Sequence, residues 1–286
     1  MPSLQTVSSP TPTAWFIFDN GSLRPESTLS LRRVATALAA KSGLPVQAVS
    51  LLHSSNVPPE ALGGEAARLL EPALAAHFET FPEGEAVLVP LFFGPSAALT
   101  EYVPARLKSL RTRFPRARVK MAPWLVYPTE GDRRVAKILA DQVRMTARAN
   151  LWAKPKVVLV DHGSPQPAVA AVRNHLGGLV GAELGEEIEA LAVASMERRE
   201  GAAYDFNEPL LASVLRTGPF NAGQVVVALQ FLSPGRHAGP GGDIAEICAA
   251  AEAESAGLET RMTEPIAVDG RLVDLLEERL RQAVKV

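Results

Sequence analysis

The chain carries the same order of predicted strands and helices twice, and this repeat limits its possible folds more than any other sequence feature. The segment Asp161–Ser164 (Asp-His-Gly-Ser) matches Asp19–Ser22 (Asp-Asn-Gly-Ser) at an offset of 142 residues. Val227–Phe231 matches Val89–Phe93 at an offset of 138 residues. Because strands alternate with helices in each copy, we expect an α/β protein with two tandem, doubly wound parallel-sheet lobes.

The repeat also predicts the boundaries of the lobes. We expect an N-terminal lobe over residues 14–149, a linker over 150–155 and a C-terminal lobe over residues 155–286. Residues 1–13 are rich in Ser, Thr and Pro and lack a basic or long apolar stretch, which is typical of a short disordered tail rather than a signal peptide. No apolar run approaches the roughly 18 residues of a membrane span, so we expect a cytoplasmic protein.

Composition argues against several classes of protein. The formal net charge of −2 gives no overall field that would attract nucleic acid or an anionic membrane. A single cysteine, Cys248, excludes an internal disulfide framework and a cysteine-rich zinc or iron–sulfur site within one chain. Its apolar neighbours predict that Cys248 is a core residue of a helix.

Two histidines follow predicted strands of the C-terminal copy. Val157–Val160 is an apolar run that predicts a strand buried on both faces, and His162 comes soon after it. Val225–Leu232 predicts a second buried strand, which His237 follows. Side chains at the carboxyl ends of parallel strands face the crevice in which open α/β sheets bind ligands. Either histidine could merely support a turn, but the N-terminal copy has Asn20 at the first position and no histidine at the second, which favours a functional role.

Four motifs follow one another in the C-terminal copy. They are Asp161–Ser164, Asn207–Leu211, Phe231–Ile244 with its Gly-Arg-His, and Glu264–Ile266 before a closing helix. In this order they resemble motifs of the CbiX/SirB-type chelatases, which insert a divalent metal ion into sirohydrochlorin. The resemblance covers about residues 155–286 and, more faintly, 14–149. It implies a chelatase-like fold with a cleft between two α/β lobes, and it implies that the two histidines handle the metal ion.

The implied substrates are a divalent metal ion (Co²⁺, Fe²⁺ or Ni²⁺) and a sirohydrochlorin-type tetrapyrrole, with no permanently bound cofactor. Neutral imidazole binds such ions less permanently than thiolate does, and it can accept a proton near neutral pH. A carboxylate could complete the set of ligands and catalytic groups formed by His162 and His237. Glu197 is the first candidate, because it follows the second strand of its copy. Glu208 is the second candidate, although it could equally be a first-turn helix acid favoured by the helix dipole.

The carboxylates of the tetrapyrrole should require cations in the pocket. Arg198, Arg199 and Arg236 lie beside the candidate ligands in the sequence, and a guanidinium group binds carboxylates with two parallel hydrogen bonds. Arg198 and Arg199 could instead be a solvated surface pair. Gly163 and Ser164, in the turn after the first strand, complete the candidate substrate-binding residues.

Other interpretations stay open at this point. A non-catalytic tetrapyrrole or metal carrier would use the same cleft and the same histidines. A serine hydrolase is disfavoured because Gly94–Ala98 lacks the second glycine of a G-x-S-x-G motif, and dinucleotide binding because no predicted strand precedes G-x-G-x-x-G. The oligomeric state is either a monomer or a homodimer.

The remaining histidines are weaker candidates. His77 and His175 fall on predicted helices and are interpreted as surface or packing residues. His53 follows the second strand of the N-terminal copy, in the place that Glu197 is expected to have in the C-terminal copy, and could enter the shared cleft.

Overall fold

The computed structural model describes residues 11–285, in which strands and helices alternate along the chain. The first copy contains β1 (Thr13–Asp19), α1 (Pro25–Ser42), β2 (Val46–Ser50), α2 (Leu70–Thr80), β3 (Glu85–Pro90), α3 (Val103–Arg113), β4 (Arg118–Met121) and α4 (Arg134–Ala149). The second copy contains β5 (Lys156–Asp161), α5 (Pro167–Leu184), β6 (Leu191–Ser195), α6 (Leu211–Val214), β7 (Gly223–Leu229), α7 (Asp243–Glu254), β8 (Leu258–Met262) and α8 (Arg271–Lys285).

The strands form two four-stranded sheets with the same topology. Their order is β2-β1-β3-β4 in the first sheet and β6-β5-β7-β8 in the second, and every neighbouring pair is parallel. Parallel strands need crossover helices that cover both faces of the sheet, which explains why β5 is buried along its whole length and apolar at its four central residues. The predicted fold class, two tandem parallel-sheet lobes with flanking helices, is confirmed.

The closing helices of the two copies are exchanged between the sheets. Helix α4 ends the first copy in sequence but packs on α5 and β7 of the second, whereas α8 packs on α1 and β3 of the first. Their fully buried residues, such as Leu139 on α4 and Leu276 on α8, belong to one hydrophobic cluster that also contains Ile17 of β1 and Leu159 of β5. The two copies therefore share a core, although the sequence predicts them as successive lobes.

Local backbone structure defines where α2, α3 and β7 begin or end. Helix α2 begins at Leu70, because Arg68 accepts a backbone hydrogen bond from Ser50 at 2.9 Å and is held extended beside the edge strand β2. A π-helical turn, Ala98–Tyr102, leads into α3. Strand β7 ends at Leu229, so the predicted strand extends three residues too far.

The ends of the chain are described only in part. The predicted tail lies mostly outside the described residues, since residues 1–10 are not described, and Thr13 already belongs to β1. Within residues 11–285, no helix is both long and apolar enough to cross a membrane.

Replacement of Leu276 by Ala should destabilise both copies together. Leu276 is fully buried in the shared cluster, and truncating such a leucine costs about 2–5 kcal/mol of unfolding free energy. We expect one cooperative denaturant transition, shifted to lower denaturant as a whole, when circular dichroism and tryptophan fluorescence are followed together. Val284→Ala, at a half-exposed position of the same helix, is the control and should leave the transition within about 0.5 kcal/mol of wild type. Two separate transitions, one of them unmoved by Leu276→Ala, would contradict a shared core.

Candidate functional site

The two histidines predicted from the sequence meet at the carboxyl edge of the second sheet. His162 directly follows β5, and His237 lies in the loop after β7, the strand that pairs with β5 in parallel. Their imidazole ring centroids are 4.5 Å apart, with the ring planes at 72°. The side chains remain accessible, at 44% exposure for His162 and 30% for His237.

Both imidazoles are held by a contact between Nδ1 and a neighbouring oxygen atom. The Nδ1 of His162 lies 3.0 Å from the carbonyl oxygen of Gly163, and the Nδ1 of His237 lies 2.6 Å from Oδ2 of Asp243. A carbonyl and an ionised carboxylate only accept hydrogen bonds, so each Nδ1 must carry the proton. In the neutral imidazole this leaves both Nε2 lone pairs free to bind a metal ion or a proton.

Glu197 is the carboxylate nearest to this pair. It lies beyond the end of β6, and its Oε1 is 3.5 Å from Nε2 of His162. The backbone N–H of Glu197 donates to the carbonyl of His162, at 3.2 Å, so the ladder continues past the ends of the two strands. The Glu197 side chain is 61% exposed and can therefore rotate towards or away from the imidazoles.

Gly163 allows this close approach of the two strand ends. Its φ is +90°, and a Cβ at this position would lie 1.9 Å from the carbonyl oxygen of Glu197. Any side chain at residue 163 would therefore push the Glu197 backbone away from His162. The structure thus gives Gly163 a steric reason to be glycine, in addition to the predicted contact with substrate.

Ser164 is held by a neighbouring loop. Its backbone N–H donates to Oδ1 of Asn207 at 3.0 Å, and its carbonyl accepts from Nδ2 of the same residue at 2.9 Å. The Ser164 hydroxyl oxygen accepts from the backbone N–H of Gln166 at 3.1 Å, which fixes the turn that leads into α5. Asn207 is fully buried and was not recognised from the sequence.

The predicted cations and the second carboxylate have different surroundings. Arg198 binds Asp205 at 2.6 Å and Glu208 at 2.7 Å, so its guanidinium group ties the 198–208 loop together. The other oxygen of Glu208 accepts from the backbone N–H of Leu210 at 3.0 Å, and Glu208 makes no ion pair or hydrogen bond with either histidine. By contrast, the Arg236 side chain is 73% exposed, with Nε 3.7 Å from Asp243. Arg199 is exposed, with its guanidinium carbon 5.9 Å from the ring centroid of Tyr204.

Arg173 of α5 is the main residue of this region that the sequence interpretation missed. It is 1% exposed, and it donates to the Ser195 hydroxyl and to the carbonyls of Asn207, at 3.0 Å, and Phe206, at 3.1 Å. Its Nη1 also lies 3.8 Å from Oδ1 of Asp161, the last residue of β5. A lone arginine on the apolar face of an Ala- and Val-rich helix is the sequence signal that could have revealed it.

The two copies differ at the equivalent buried position. Leu31 takes the place in α1 that Arg173 has in α5, so Asp19 of the first copy has no guanidinium partner. Oδ1 of Asp19 is shielded from solvent and has no hydrogen-bond partner among residues 11–285. Burial raises the pKa of Asp19 to about 6, against the opposing effect of a hydrogen bond with Ser50. Burial also raises the pKa of Asp161, but there the Ser195 hydroxyl and Arg173 counteract it.

The first copy places other residues where the second has its candidate ligands. Asn20 corresponds to His162, and Leu52, whose backbone N–H donates to the carbonyl of Asn20 at 3.1 Å, corresponds to Glu197. His53 is therefore one residue beyond the position of Glu197, which corrects the sequence alignment, and its side chain is exposed. Within residues 11–285, no group of three His, Cys, Asp or Glu side chains forms a metal-binding cluster as it stands.

The two helix histidines lie outside this site. Nε2 of His77 contacts the carbonyl oxygen of Glu85 at 3.0 Å, and burial lowers the pKa of His77. His175 is half-buried on α5, and its Nε2 is shielded from solvent. The side chains of His77 and His175 therefore contribute to packing and not to the candidate site.

Loops at the carboxyl ends of both sheets face each other. Gln166, at the start of α5, donates to Glu101 of the first copy at 2.8 Å, and a Cβ on Gly235 would lie 3.8 Å from the hydroxyl of Ser22. The fold and the site thus define an α/β protein in which two fused lobes meet at their strand ends and one lobe carries a histidine pair.

Comparison with known proteins confirms the resemblance seen in the sequence. The CbiX family model matches residues 156–283, the copy that carries both histidines. The crystal structure of the sirohydrochlorin chelatase SirB from Bacillus subtilis subspecies spizizenii in complex with cobalt is 14% identical, with a TM-score of 0.67 over 96% of each chain. SirB from Bacillus subtilis with Fe³⁺ is 14% identical, with a TM-score of 0.66 over 95% of each chain. CbiX, the terminal enzyme for biosynthesis of siroheme in denitrifying bacteria, is 14% identical, with a TM-score of 0.57 over 95% of this chain and 99% of that one.

These similarities extend over both copies in fold and over the second copy in sequence. At 14% identity the solved structures establish a shared fold, and the family match places the CbiX pattern in the C-terminal half. No curated protein sequence matches the chain.

Replacement of Asp19 by Asn should remove a pH-dependent loss of stability. The folded-state pKa of Asp19, about 6, lies above the ordinary aspartate value of 3.8, so wild type loses stability as the pH rises between these values and the buried carboxyl group ionises. The unfolding free energy of Asp19→Asn minus that of wild type should therefore increase by about 3 kcal/mol from about pH 3.5 to about pH 7. Urea titrations at a series of pH values measure this difference.

Glu65→Gln, at an exposed carboxylate of the same copy, is the control for this titration. Its difference from wild type should stay nearly constant over the same pH range. An equally constant difference for Asp19→Asn would contradict a buried, unpaired carboxyl group at residue 19.

Proposed function

We propose that this protein is a sirohydrochlorin chelatase, a lyase-type enzyme that inserts a divalent metal ion, Co²⁺ or Fe²⁺ with Ni²⁺ as a further candidate, into the tetrapyrrole. The observation that carries the proposal is the pair of imidazoles, 4.5 Å apart, whose Nδ1 atoms are both hydrogen-bonded and whose Nε2 atoms make no hydrogen bond within residues 11–285. The CbiX family match covers these residues, and SirB and CbiX structures share the fold of the whole chain.

The histidine pair suits temporary binding of the metal substrate. Imidazole nitrogen is a good ligand for Fe²⁺, Co²⁺ and Ni²⁺, and two such ligands leave coordination positions for water and for the macrocycle nitrogens. We propose that His162 and His237 hold the ion and that Glu197 joins them. Its Oε1 is 3.5 Å from Nε2 of His162, and rotation of this exposed side chain would bring the carboxylate to the ion. Glu208 is a weaker candidate, because its oxygens bind Arg198 and the Leu210 N–H.

Metal insertion also releases the two pyrrole N–H protons of the macrocycle. A free Nε2 of a neutral imidazole accepts a proton near neutral pH, and the exposed carboxylate of Glu197 can pass it to solvent. We therefore assign proton acceptance to the same three residues, after the ion has left them for the macrocycle. The reaction then needs no resident cofactor.

The carboxylates of the tetrapyrrole need cations at the mouth of the site. Arg236 is the best placed of the predicted arginines, because its side chain is 73% exposed and directly precedes His237. Arg199, stacked near Tyr204, is a second candidate. Arg198 would act indirectly, since Asp205 and Glu208 already bind it. Gly163 and Ser164 would shape the turn beneath the substrate.

The chain would carry one such site. The first copy has Asn20 and Leu52 at the positions of His162 and Glu197, so it lacks the side chains that would bind an ion there. Its loops face the histidines across the lobe interface, and we propose that they form the opposite wall of the tetrapyrrole site.

His162→Ala and His237→Ala should each lower the rate of metal insertion by at least about 100-fold, because each removes a ligand and a proton acceptor. The assay is the absorbance change of sirohydrochlorin with Co²⁺ or Fe²⁺, corrected for the uncatalysed rate. His77→Ala is the matched control, a histidine of the first copy that lies outside this site, and should retain the wild-type rate. A wild-type protein that binds sirohydrochlorin without accelerating insertion would be a carrier, and the proposal would then be wrong.

Arg236→Gln should raise KM for sirohydrochlorin about tenfold and leave kcat nearly unchanged, because a charge-assisted bond to a substrate carboxylate contributes about 1.5–3 kcal/mol before solvent screening. Initial rates over a range of sirohydrochlorin concentrations separate the two constants. Arg281→Gln, on the exposed face of α8, is the charge-matched control. An unchanged KM in Arg236→Gln would remove this residue from the substrate site.

A further inference from the structure

Asp243 contacts one of the two histidines and has no role in the assignments above. Its Oδ2 is 2.6 Å from Nδ1 of His237, and it is the first residue of α7. Building on the proposed function, we propose that Asp243 is a positioning residue that fixes the tautomer and the ring orientation of His237, so that Nε2 faces the metal substrate.

The backbone around this pair is closely fitted. The N–H groups of Asp243 and Ile244 donate to the carbonyls of Arg236 and His237, both at 3.2 Å, so the histidine loop itself caps the first turn of α7. A Cβ on Gly242 would lie 2.9 Å from both of these carbonyl oxygens, which leaves no room for a side chain. The loop therefore cannot shift relative to α7 without breaking the cap.

The loop is also anchored in the core. Ala238 is 1% exposed and Ile244 is 0% exposed, and both belong to the hydrophobic cluster that also contains Val227 of β7. Since the residues on either side of the His237–Asp243 pair are fixed, the carboxylate meets the imidazole at a defined position. Only the side-chain torsions of His237 remain to be set, and the hydrogen bond to Asp243 sets them.

The chemical consequence follows from the difference between donors and acceptors. A carboxylate accepts but does not donate, so it selects the Nδ1–H tautomer and leaves the Nε2 lone pair available. Carboxylate partners of metal-binding histidines commonly fix the tautomer in this way, and their loss weakens metal binding by about 10- to 100-fold. His162 is held differently, by the neutral carbonyl of Gly163, so the carboxylate partner distinguishes His237 within the pair.

If Asp243 had only a structural role, it would be an acidic residue in the first turn of α7 that interacts favourably with the helix dipole. Two observations argue for more than this role. Glu246 already supplies an exposed acid in the first turn of the same helix. In the first copy the equivalent loop has no histidine, and the helical segment there begins with Ala98–Tyr102 without a carboxylate–imidazole pair.

The test is the tautomer of His237, read from the ¹⁵N chemical shifts of histidine-labelled protein at about pH 8.5, where free imidazole is neutral. His237→Ala assigns the signal. Wild type should show the Nδ1–H form, and Asp243→Asn should shift His237 towards the Nε2–H form, because the amide can also donate to Nδ1. Glu246→Gln, which removes the other first-turn acid, should leave the signal unchanged. An Nε2–H tautomer in wild type, or an unchanged Nδ1–H tautomer in Asp243→Asn, would overturn the proposal.

A second readout uses Co²⁺ alone, without tetrapyrrole. The dissociation constant for Co²⁺, from its visible absorption bands, should rise about 10- to 100-fold in Asp243→Asn and stay at the wild-type value in Glu246→Gln. Equal Co²⁺ affinity in wild type and Asp243→Asn would contradict the positioning role. Neither measurement depends on turnover. If the wild-type protein does not insert metal into sirohydrochlorin, the proposed function is wrong, but the tautomer result still stands.

Discussion

The buried guanidinium of Arg173 holds together the backbone segments on which the candidate site depends. It joins the end of β5 through Asp161, the end of β6 through Ser195, and the following loop through the carbonyls of Phe206 and Asn207. A buried cation is costly unless it is paired, and leaving its carboxylate partner alone would cost about 3–5 kcal/mol. Such an interaction adds little net stability compared with an apolar residue, but its directional bonds fix the strand ends relative to one another.

The first copy shows what the same fold does without this interaction. Leu31 replaces the guanidinium, and a short chain of hydroxyls takes over, in which Ser54 donates to Ser50 at 3.0 Å beside Asp19. The strand order and the tight glycine turn are unchanged, since Gly21, like Gly163, has a positive φ and lies against a carbonyl of the next strand end. Arg173 is therefore not required for the fold. It is present in the copy whose strand ends carry the histidine pair.

The sequence predicted the sheets and the histidine pair because both depend on local patterns. Long apolar runs identified the central strands, and parallel pairing of neighbouring strands places the loops that carry His162 and His237 at the same edge of the sheet. Asp243 and Asn207 stand in two of the recognised motifs, but their roles were not identified, because these depend on contacts across loops. Asp243 follows His237 by six residues, and this spacing predicts no contact unless it is known that the loop folds back onto α7.

The exchange of the closing helices also could not be predicted from the sequence. The apolar stripes of α4 and α8 show that each helix covers a hydrophobic surface, but such a stripe is equally compatible with either sheet. Ion pairs between α4 and the second copy, such as Arg144 with Glu187 at 2.7 Å, likewise could not be predicted without the three-dimensional structure.

This exchange gives a physical reason for the chain to keep a copy without candidate ligands. Helix α8 of the second copy needs the first sheet to bury Leu276 and Leu280, and α4 of the first copy covers β7, the strand that leads to the His237 loop. Loss of the first copy would therefore expose the support of the histidine site and would remove the proposed opposite wall of the tetrapyrrole site. The first copy can thus lack candidate ligands at little cost to the fold, but the second copy cannot keep its core without it.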